Sequence, residues 1–313
     1  MNIMSRIAKP EDVGLDPARL SYIPDYFRSY VDRGKIAGFS TLVSRHGEIA
    51  HFEVAGQRDR ERGLPMEKDT IFRIYSMTKP ITSLALMMLY EEGHFQLNHP
   101  VSRYIPSFKK LQVWAGGTAE KYETKPCERE MTIRDLLTHT SGLTYGFMQE
   151  HPKKSGIMDI GDETSSYAQP PRFLSGGGGL TSTMMDYWRF CQMLLNGGEL
   201  EGVRLCSPKT IEFMTLNHLP GGQTMKKMSR SAFSELAAEG AGFGLGFQVL
   251  IDPAEAQAIG SPGNFSWGGA ASTYFWIDPE EDLITIFMTQ LYPSSTYPFR
   301  PQLQQLVYGA ITE

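Results

Sequence analysis

Ser76 and Lys79 stand three residues apart in FRIYSMTKPITSLALMMLYEEG, where the most strongly apolar helical stripe of the chain begins. A serine hydroxyl is a poor nucleophile near neutral pH unless a neighbouring group takes its proton. A spacing of three on a helix brings both side chains to one face, and a lysine kept neutral by burial could then serve as the base. Backbone amides at a helix N-terminus also favour negative charge there. The chemistry offered is acyl transfer through a covalent serine. The pattern by itself is weak, because a chain of this length carries about one Ser-x-x-Lys by chance. Ser107-Phe108-Lys109-Lys110 is indeed a second match. It follows Pro106 in a polar stretch with no apolar stripe behind it, and reads as a solvated segment. The competing reading of Ser76 is an N-cap serine beside a lysine whose stem covers apolar surface.

Trp267-Gly268-Gly269-Ala270 lies inside a strand-like run. Glycines weaken a strand and often mark the close approach of a ligand or another backbone. If this strand edges the pocket, the N–H of Ala270 could join that of Ser76 as an oxyanion hole. The alternative is a β-bulge carrying a core tryptophan.

Other chemistries lack their residues. There is no Gly-x-Ser-x-Gly nucleophile elbow, and no His-Glu-x-x-His or clustered Cys/His set, so no metal is expected. The run Gly176 to Gly179 lacks the Gly-Lys-Ser/Thr ending of a phosphate loop and reads as a tight backbone passage. His139, in LLTHTSG, reads as a capping or packing histidine.

Those residues need elements to hold them. Leu20, Ile23, Phe27 and Tyr30 fall at helical spacing. Two β-rich runs then meet at His46-Gly47, a hairpin signal. The stripe from Ile81 stops before Gly93. Thr132 with Asp135 opens a short helix that Gly142 is expected to close. Another helix runs from about Thr183 to Asn196, and Ser207-Pro208 starts a third. From about Gly242 the runs FGLGFQVLID, SWGGAASTYFWID and DLITIFMTQL are strand-like, and a last helix covers roughly 300 to 311. The segment from Gly221 to Gly240 reads as a loop. The expected fold is α/β plus α: one antiparallel sheet built from both termini and flanked by helices, with a helical domain inserted. The expected division is 1–75 with 240–313 for the sheet domain and 76–239 for the helical one.

Composition excludes several classes. The 313 residues are 41% hydrophobic, 11% aromatic and 21% charged, which fits a globular chain and not a disordered one. The longest apolar run, Leu84 to Tyr90, falls far short of the roughly 20 residues of a membrane helix. Net charge is −5 with no basic stripe, so nucleic acid is not an expected partner. Cys127, Cys191 and Cys206 are odd in number and widely spaced, and read as reduced packing residues. With no apolar signal core among the first residues, the expected location is cytoplasmic.

Four motifs in order, FRIYSMTKPITSLALMMLYEEG, LLTHTSGLTYG, SGGGGLTST and SWGGAASTYFWIDP, resemble the serine β-lactamase and penicillin-binding-protein superfamily. The likeness is to the class C-like branch with family VIII carboxylesterases and lovastatin-type acyltransferases. It implies a β-lactamase/transpeptidase-like fold, Ser76 as acyl-accepting nucleophile, Lys79 as its base, and Ala270 as the residue completing the oxyanion hole. Trp267-Gly268-Gly269 occupies the place where β-lactamases keep Lys-Thr-Gly. The lysine that would meet a β-lactam carboxylate is thus replaced by an apolar wall, which suits an uncharged ester better. No cofactor is implied.

One departure stands out. The family places a catalytic tyrosine in a Tyr-x-Asn-like motif before the Gly-rich run, and no such form occurs here. A large piece of the helical domain has no counterpart. Tyr145, in SGLTYG, matches a pocket-lining position and is the candidate for a substitute base. Tyr167 lies nearer the Gly-rich run. The expected function is a serine carboxylesterase acting on small acyl esters. Its rivals are a catalytically impaired binding protein of the same fold, an acyltransferase, and a weak β-lactamase. A pocket opened by the shortening would expose apolar surface and favour a homo-oligomer.

Overall fold

The structure, a computed structural model, describes residues 7–117, 121–143, 170, 174–228 and 239–313. Its first strands are β1 (Gly38–Arg45), β2 (Glu48–Asp59), β3 (Leu64–Pro65), β4 (Phe72–Arg73), β5 (Gln112–Gly117), β6 (Tyr122–Pro126) and β7 (Thr181–Ser182). There follow β8 (Glu199–Leu200), β9 (Val203–Arg204), β10 (Ala241–Phe243), β11 (Gln248–Leu250), β12 (Phe265–Gly268), β13 (Tyr274–Asp278) and β14 (Leu283–Met288). The helices are α1 (Pro17–Leu20), α2 (Tyr22–Asp32), α3 (Thr78–Glu91), α4 (Ile133–Leu137) and α5 (Met184–Leu195), then α6 (Pro208–Met214), α7 (Met225–Met228), α8 (Pro253–Ala256) and α9 (Phe299–Tyr308).

The chain divides into two compact units, one of Met1–Glu92 with Gly176–Glu313, the other of Gly93–Ser175. The first holds an eight-stranded sheet in the order β10-β11-β12-β13-β14-β1-β2-β3. The two chain ends meet at its centre, where β14 pairs antiparallel with β1 and Leu42 faces Ile286. The β1–β2 turn is the expected hairpin: His46 (φ 53°) and Gly47 (φ 76°) both take the left-handed conformation that a two-residue turn of matching twist requires.

Strands β1, β12, β13 and β14 are buried along their whole length, so helices must cover both faces. On one face Phe27 of α2 is fully buried and stacks on Phe287 at 4.6 Å, with Phe299 of α9 at 5.5 Å. Truncating such a ring costs about 3–5 kcal/mol. On the other, Tyr187 of α5 meets Phe275 at 5.1 Å, and its hydroxyl donates to the Met77 carbonyl at 3.0 Å. Helix α3 is tied to α6 through Glu91, whose carboxylate accepts from the Ser207 N–H at 2.7 Å and from the Thr210 hydroxyl. These ties place α3, α5 and α6 in the unit of the sheet, so the expected boundaries at 75/76 and 239/240 fall inside that unit.

In the second unit, Thr132 and Asp135 form a complete capping box at the start of α4. The helix ends earlier than expected: His139 (φ 57°), not Gly142, supplies the left-handed residue just past it. The β5–β6 hairpin was not expected, since its strands are exposed on both faces and carry no alternating pattern. Ser107 and Lys110 are exposed in a 3-10 turn, which agrees with a solvated segment.

Burial alone would raise the Asp135 carboxyl. Hydrogen bonds from Arg129, at 2.6 and 2.9 Å, and from the Thr132 amide and hydroxyl outweigh it and hold the group at about 2. The folded value is depressed, so this stabilisation is complete above the ordinary carboxylate range and is lost as pH falls from about 4 towards 2. Asp135→Asn should destabilise α4 by about 1 kcal/mol at pH 7. Hydrogen exchange across 93–143 should rise in the variant at pH 7 and converge with wild type near pH 2.

Candidate active site

Ser76 lies in a 3-10 turn, Tyr75–Met77, that runs directly into α3. The turn is set by Tyr75, whose φ of 45° is the left-handed conformation that non-glycine residues rarely take, a cost of order 1–3 kcal/mol. Neighbouring backbone holds it there. The Ile74 N–H donates to the Leu180 carbonyl at 3.2 Å, and the Met77 N–H donates to the Ile74 carbonyl at 3.0 Å. Strand β4, just upstream, pairs with β7, with Arg73 opposite Thr181.

The i,i+3 spacing does what the sequence predicts. Lys79 Nζ lies 2.8 Å from Ser76 Oγ, and both side chains are half-buried. The same nitrogen donates to the carbonyl of Gly177 at 2.6 Å. The amine is thus held between the serine hydroxyl and that carbonyl.

The Gly-rich run is therefore a tight passage with a purpose. Thr82 Oγ1 donates to the Gly176 carbonyl at 2.9 Å, and the Leu180 N–H donates to Thr78 Oγ1 at 3.2 Å. Both bonds lash the run along α3. A Cβ on Gly176 would come within 3.0 Å of the Thr82 methyl, and one on Gly178 would rest 3.7 Å from Tyr75. Nothing in the sequence marks Gly177 as the lysine anchor, because the anchoring atom is a main-chain oxygen. The signal that could have found it is the run itself, four residues with no side chain.

Trp267, Gly268, Gly269 and Ala270 come up beside the same turn. The β12–β13 register is continuous from Phe265 opposite Ile277 to Gly268 opposite Tyr274, so no bulge interrupts the strand. Successive side chains alternate between faces. Gly268 shares a face with Tyr274 and with Arg300 of α9, whose guanidinium would lie 2.3 Å from a Cβ at 268. Trp267 and Gly269 take the other face. A Cβ on Gly269 would lie 2.4 Å from the Ile74 carbonyl and 2.2 Å from Thr273 Oγ1. Backbone thus packs on backbone two residues before Ser76. Trp267 is 2% exposed and meets Phe243 edge-on at 4.9 Å, which makes it a packed apolar wall. The amide of Ala270 is half-buried and donates to no acceptor among the described residues.

Tyr145 and Tyr167 lie outside the described residues. Among the described residues no group of three His, Cys, Asp or Glu side chains could hold a metal, and no helix is long and apolar enough to cross a membrane. All three cysteines are free, and burial pushes the Cys191 thiol well up and that of Cys206 to about 11. A cavity of about 200 Å³ lies elsewhere, on the α9 face, lined in part by Ser266, Tyr274 and Arg300.

The beta-lactamase family description matches residues 23–159 and 152–308 of the chain. Protein Rv1367c of Mycobacterium tuberculosis is 30% identical, over 85% of this chain and 88% of its own. That alignment runs over 359 positions, more than the 313 residues present here, so the relative carries segments that this chain lacks. The two family stretches join at 152–159, inside the interval where no Tyr-x-Asn was found. Esterase EstB of Burkholderia gladioli is 38% identical over 45% of this chain and 33% of its own. In three dimensions, simvastatin synthase LovD of Aspergillus terreus superposes with a TM-score of 0.75 at 19% identity, over 93% of this chain and 97% of that one.

The glycine contacts separate two substitutions. Gly269→Ala should lower stability by about 1–3 kcal/mol, because its Cβ meets a main-chain oxygen that cannot yield. Gly178→Ala meets ordinary contact distance and should change stability by less than about 0.5 kcal/mol. Denaturant midpoints of the two variants against wild type check the contrast.

Proposed function

The chain belongs to the beta-lactamase family, and from that premise we propose that it is a serine hydrolase of the carboxylesterase type, cleaving small uncharged acyl esters through a covalent intermediate on Ser76. The observation that carries this reading is the 2.8 Å contact between Lys79 Nζ and Ser76 Oγ. The Lys79 amine takes the hydroxyl proton as Oγ bonds the ester carbonyl carbon. The carbonyl electron pair moves onto oxygen, where the amides of Ser76 and Ala270 receive it. Collapse breaks the bond to the alkoxy oxygen, Lys79 returns its proton there, and the alcohol leaves. Water then adds to the acyl-enzyme, giving a proton to Lys79, and the acid departs as Ser76 Oγ is reprotonated. An alcohol in place of that water yields a new ester by the same bonds, so acyl transfer is a variant of the one reaction. The scheme needs no metal or cofactor.

The substrate class rests on the residue that stands where β-lactamases keep a lysine. Trp267 is packed and uncharged, and supplies no partner for the carboxylate of a β-lactam. A neutral ester loses nothing there. The absent Tyr-x-Asn favours one rival, a binding protein of the same fold whose turnover went with the missing segment.

With p-nitrophenyl butyrate, wild type should turn over and form one adduct with a fluorophosphonate on intact-mass analysis. Ser76→Ala and Lys79→Met should each lower kcat/KM by about a thousandfold or more, and Ser76→Ala should form no adduct. A chromogenic cephalosporin should turn over far more slowly than the ester. A Ser76-dependent adduct without turnover would establish the impaired rival instead.

A further inference from the structure

Two parts of the site come from different strands and must keep a fixed separation: the turn that carries Ser76 and the turn that carries the Ala270 amide. One short segment just past β14 touches both. The Leu291 N–H donates to the Ala271 carbonyl at 3.1 Å and the Ser294 N–H to the Ala270 carbonyl at 2.9 Å. The Ser272 hydroxyl donates to the Leu291 carbonyl at 2.8 Å. The 270–272 turn, with Ser272 at φ 67°, therefore rests on residues 291–294.

The residue that opens this segment reaches the other way. The Arg73 N–H donates to Gln290 Oε1 at 3.2 Å, and Gln290 Nε2 donates back to the Arg73 carbonyl at 3.1 Å. Nε2 also donates to the Thr289 carbonyl at 2.7 Å, which fixes the amide plane. A primary amide that gives and accepts one hydrogen bond with the same residue reproduces a strand pairing. It lies on the side of β4 away from β7, whose pairing with Arg73 occupies the other edge. Three residues later comes Ser76.

We propose that Gln290 is a positioning residue which sets the reach between Ser76 and the Ala270 amide, by locking the strand before the nucleophile to the segment that supports the oxyanion turn. The proposal rests on the serine-hydrolase reading above. Gln290 itself touches no reacting atom. Its loss lets the nucleophile turn drift against the oxyanion donors, and a displacement well under an ångström is enough to slow a reaction that depends on both. Substrate binding, which depends on the surrounding walls, stays. The effect therefore falls on kcat.

The test compares Gln290→Ala and Gln290→Glu with wild type and Ser76→Ala, using p-nitrophenyl butyrate and amide exchange of peptides covering 70–77. Gln290→Ala should lower kcat about tenfold with KM within about twofold, and should speed exchange of the Arg73 amide about tenfold. Its melting temperature should stay within about 3 °C of wild type. Gln290→Glu adds a signature that a merely structural role would not give. An ionised carboxylate can only accept from Arg73, whereas a protonated one can also donate, as the amide does. Its kcat relative to wild type should therefore rise as pH is lowered from 8 towards 5. Unchanged exchange at Arg73 would remove the clamp, and faster exchange with unchanged kcat would make it structural only. An active wild type matched by Gln290→Ala sinks the positioning role alone. An inactive wild type with no Ser76 adduct sinks the hydrolase reading and this role with it.

Discussion

The amine of Lys79 is held from two sides, by the hydroxyl three residues before it and by a main-chain oxygen almost a hundred residues after it. Much of the surrounding architecture exists to make that arrangement possible. For the Gly177 carbonyl to reach the amine, the Gly-rich run must lie directly on α3, and it can do so because no side chain intervenes. Thr82 and Thr78, one turn apart on the helix, then tie down the main chain on either side of it. A close approach recurs at Gly269, where the chain just past β12 rests on the carbonyl of Ile74. There backbone packs on backbone, whereas along α3 the run meets the side chains of Thr78, Lys79 and Thr82.

How much of this was legible in the sequence divides along the same line. Ser76 and Lys79 could be read because their chemistry lies in side chains at a local spacing. The hairpin at His46-Gly47 and the caps at Thr132, Thr183 and Ser207 could be read because each is closed within a few residues. The Gly177 anchor and the Gln290 bridge could not. The first acts through a main-chain oxygen, and the second joins residues more than two hundred positions apart. The end of α4 was misplaced for a different reason: a histidine took the left-handed position that a glycine three residues later suited better intrinsically. The unit boundaries moved because the apolar stripe of α3 says that the helix is buried and not what buries it. Its ties to α6, and those of the turn before it to α5, are tertiary.

The two stretches that match the family meet at 152–159, while the atoms that hold the Lys79 amine belong to Ser76 and Gly177. Every contact described around Ser76 belongs to the unit of Met1–Glu92 and Gly176–Glu313. Ser76, Lys79, the Gly-rich run from Gly176 and the strand that leads to Ala270 thus all lie outside 93–175 in the sequence.

The order of strands in the large sheet carries a last implication, for the way this chain leaves a ribosome. Strand β1 is wholly buried between β2 and β14, yet β14 is made more than two hundred residues after it. Until then one edge of an apolar strand has no partner, and sheets assembled from such distant pairs form slowly. Ser76 emerges early, while Gly177, Ala270 and Gln290 are still to come. The nascent polypeptide is therefore a carrier of exposed β-edge that invites chaperone cover until β14 joins it, and the contacts described around Ser76 assemble only after Gln290 has emerged.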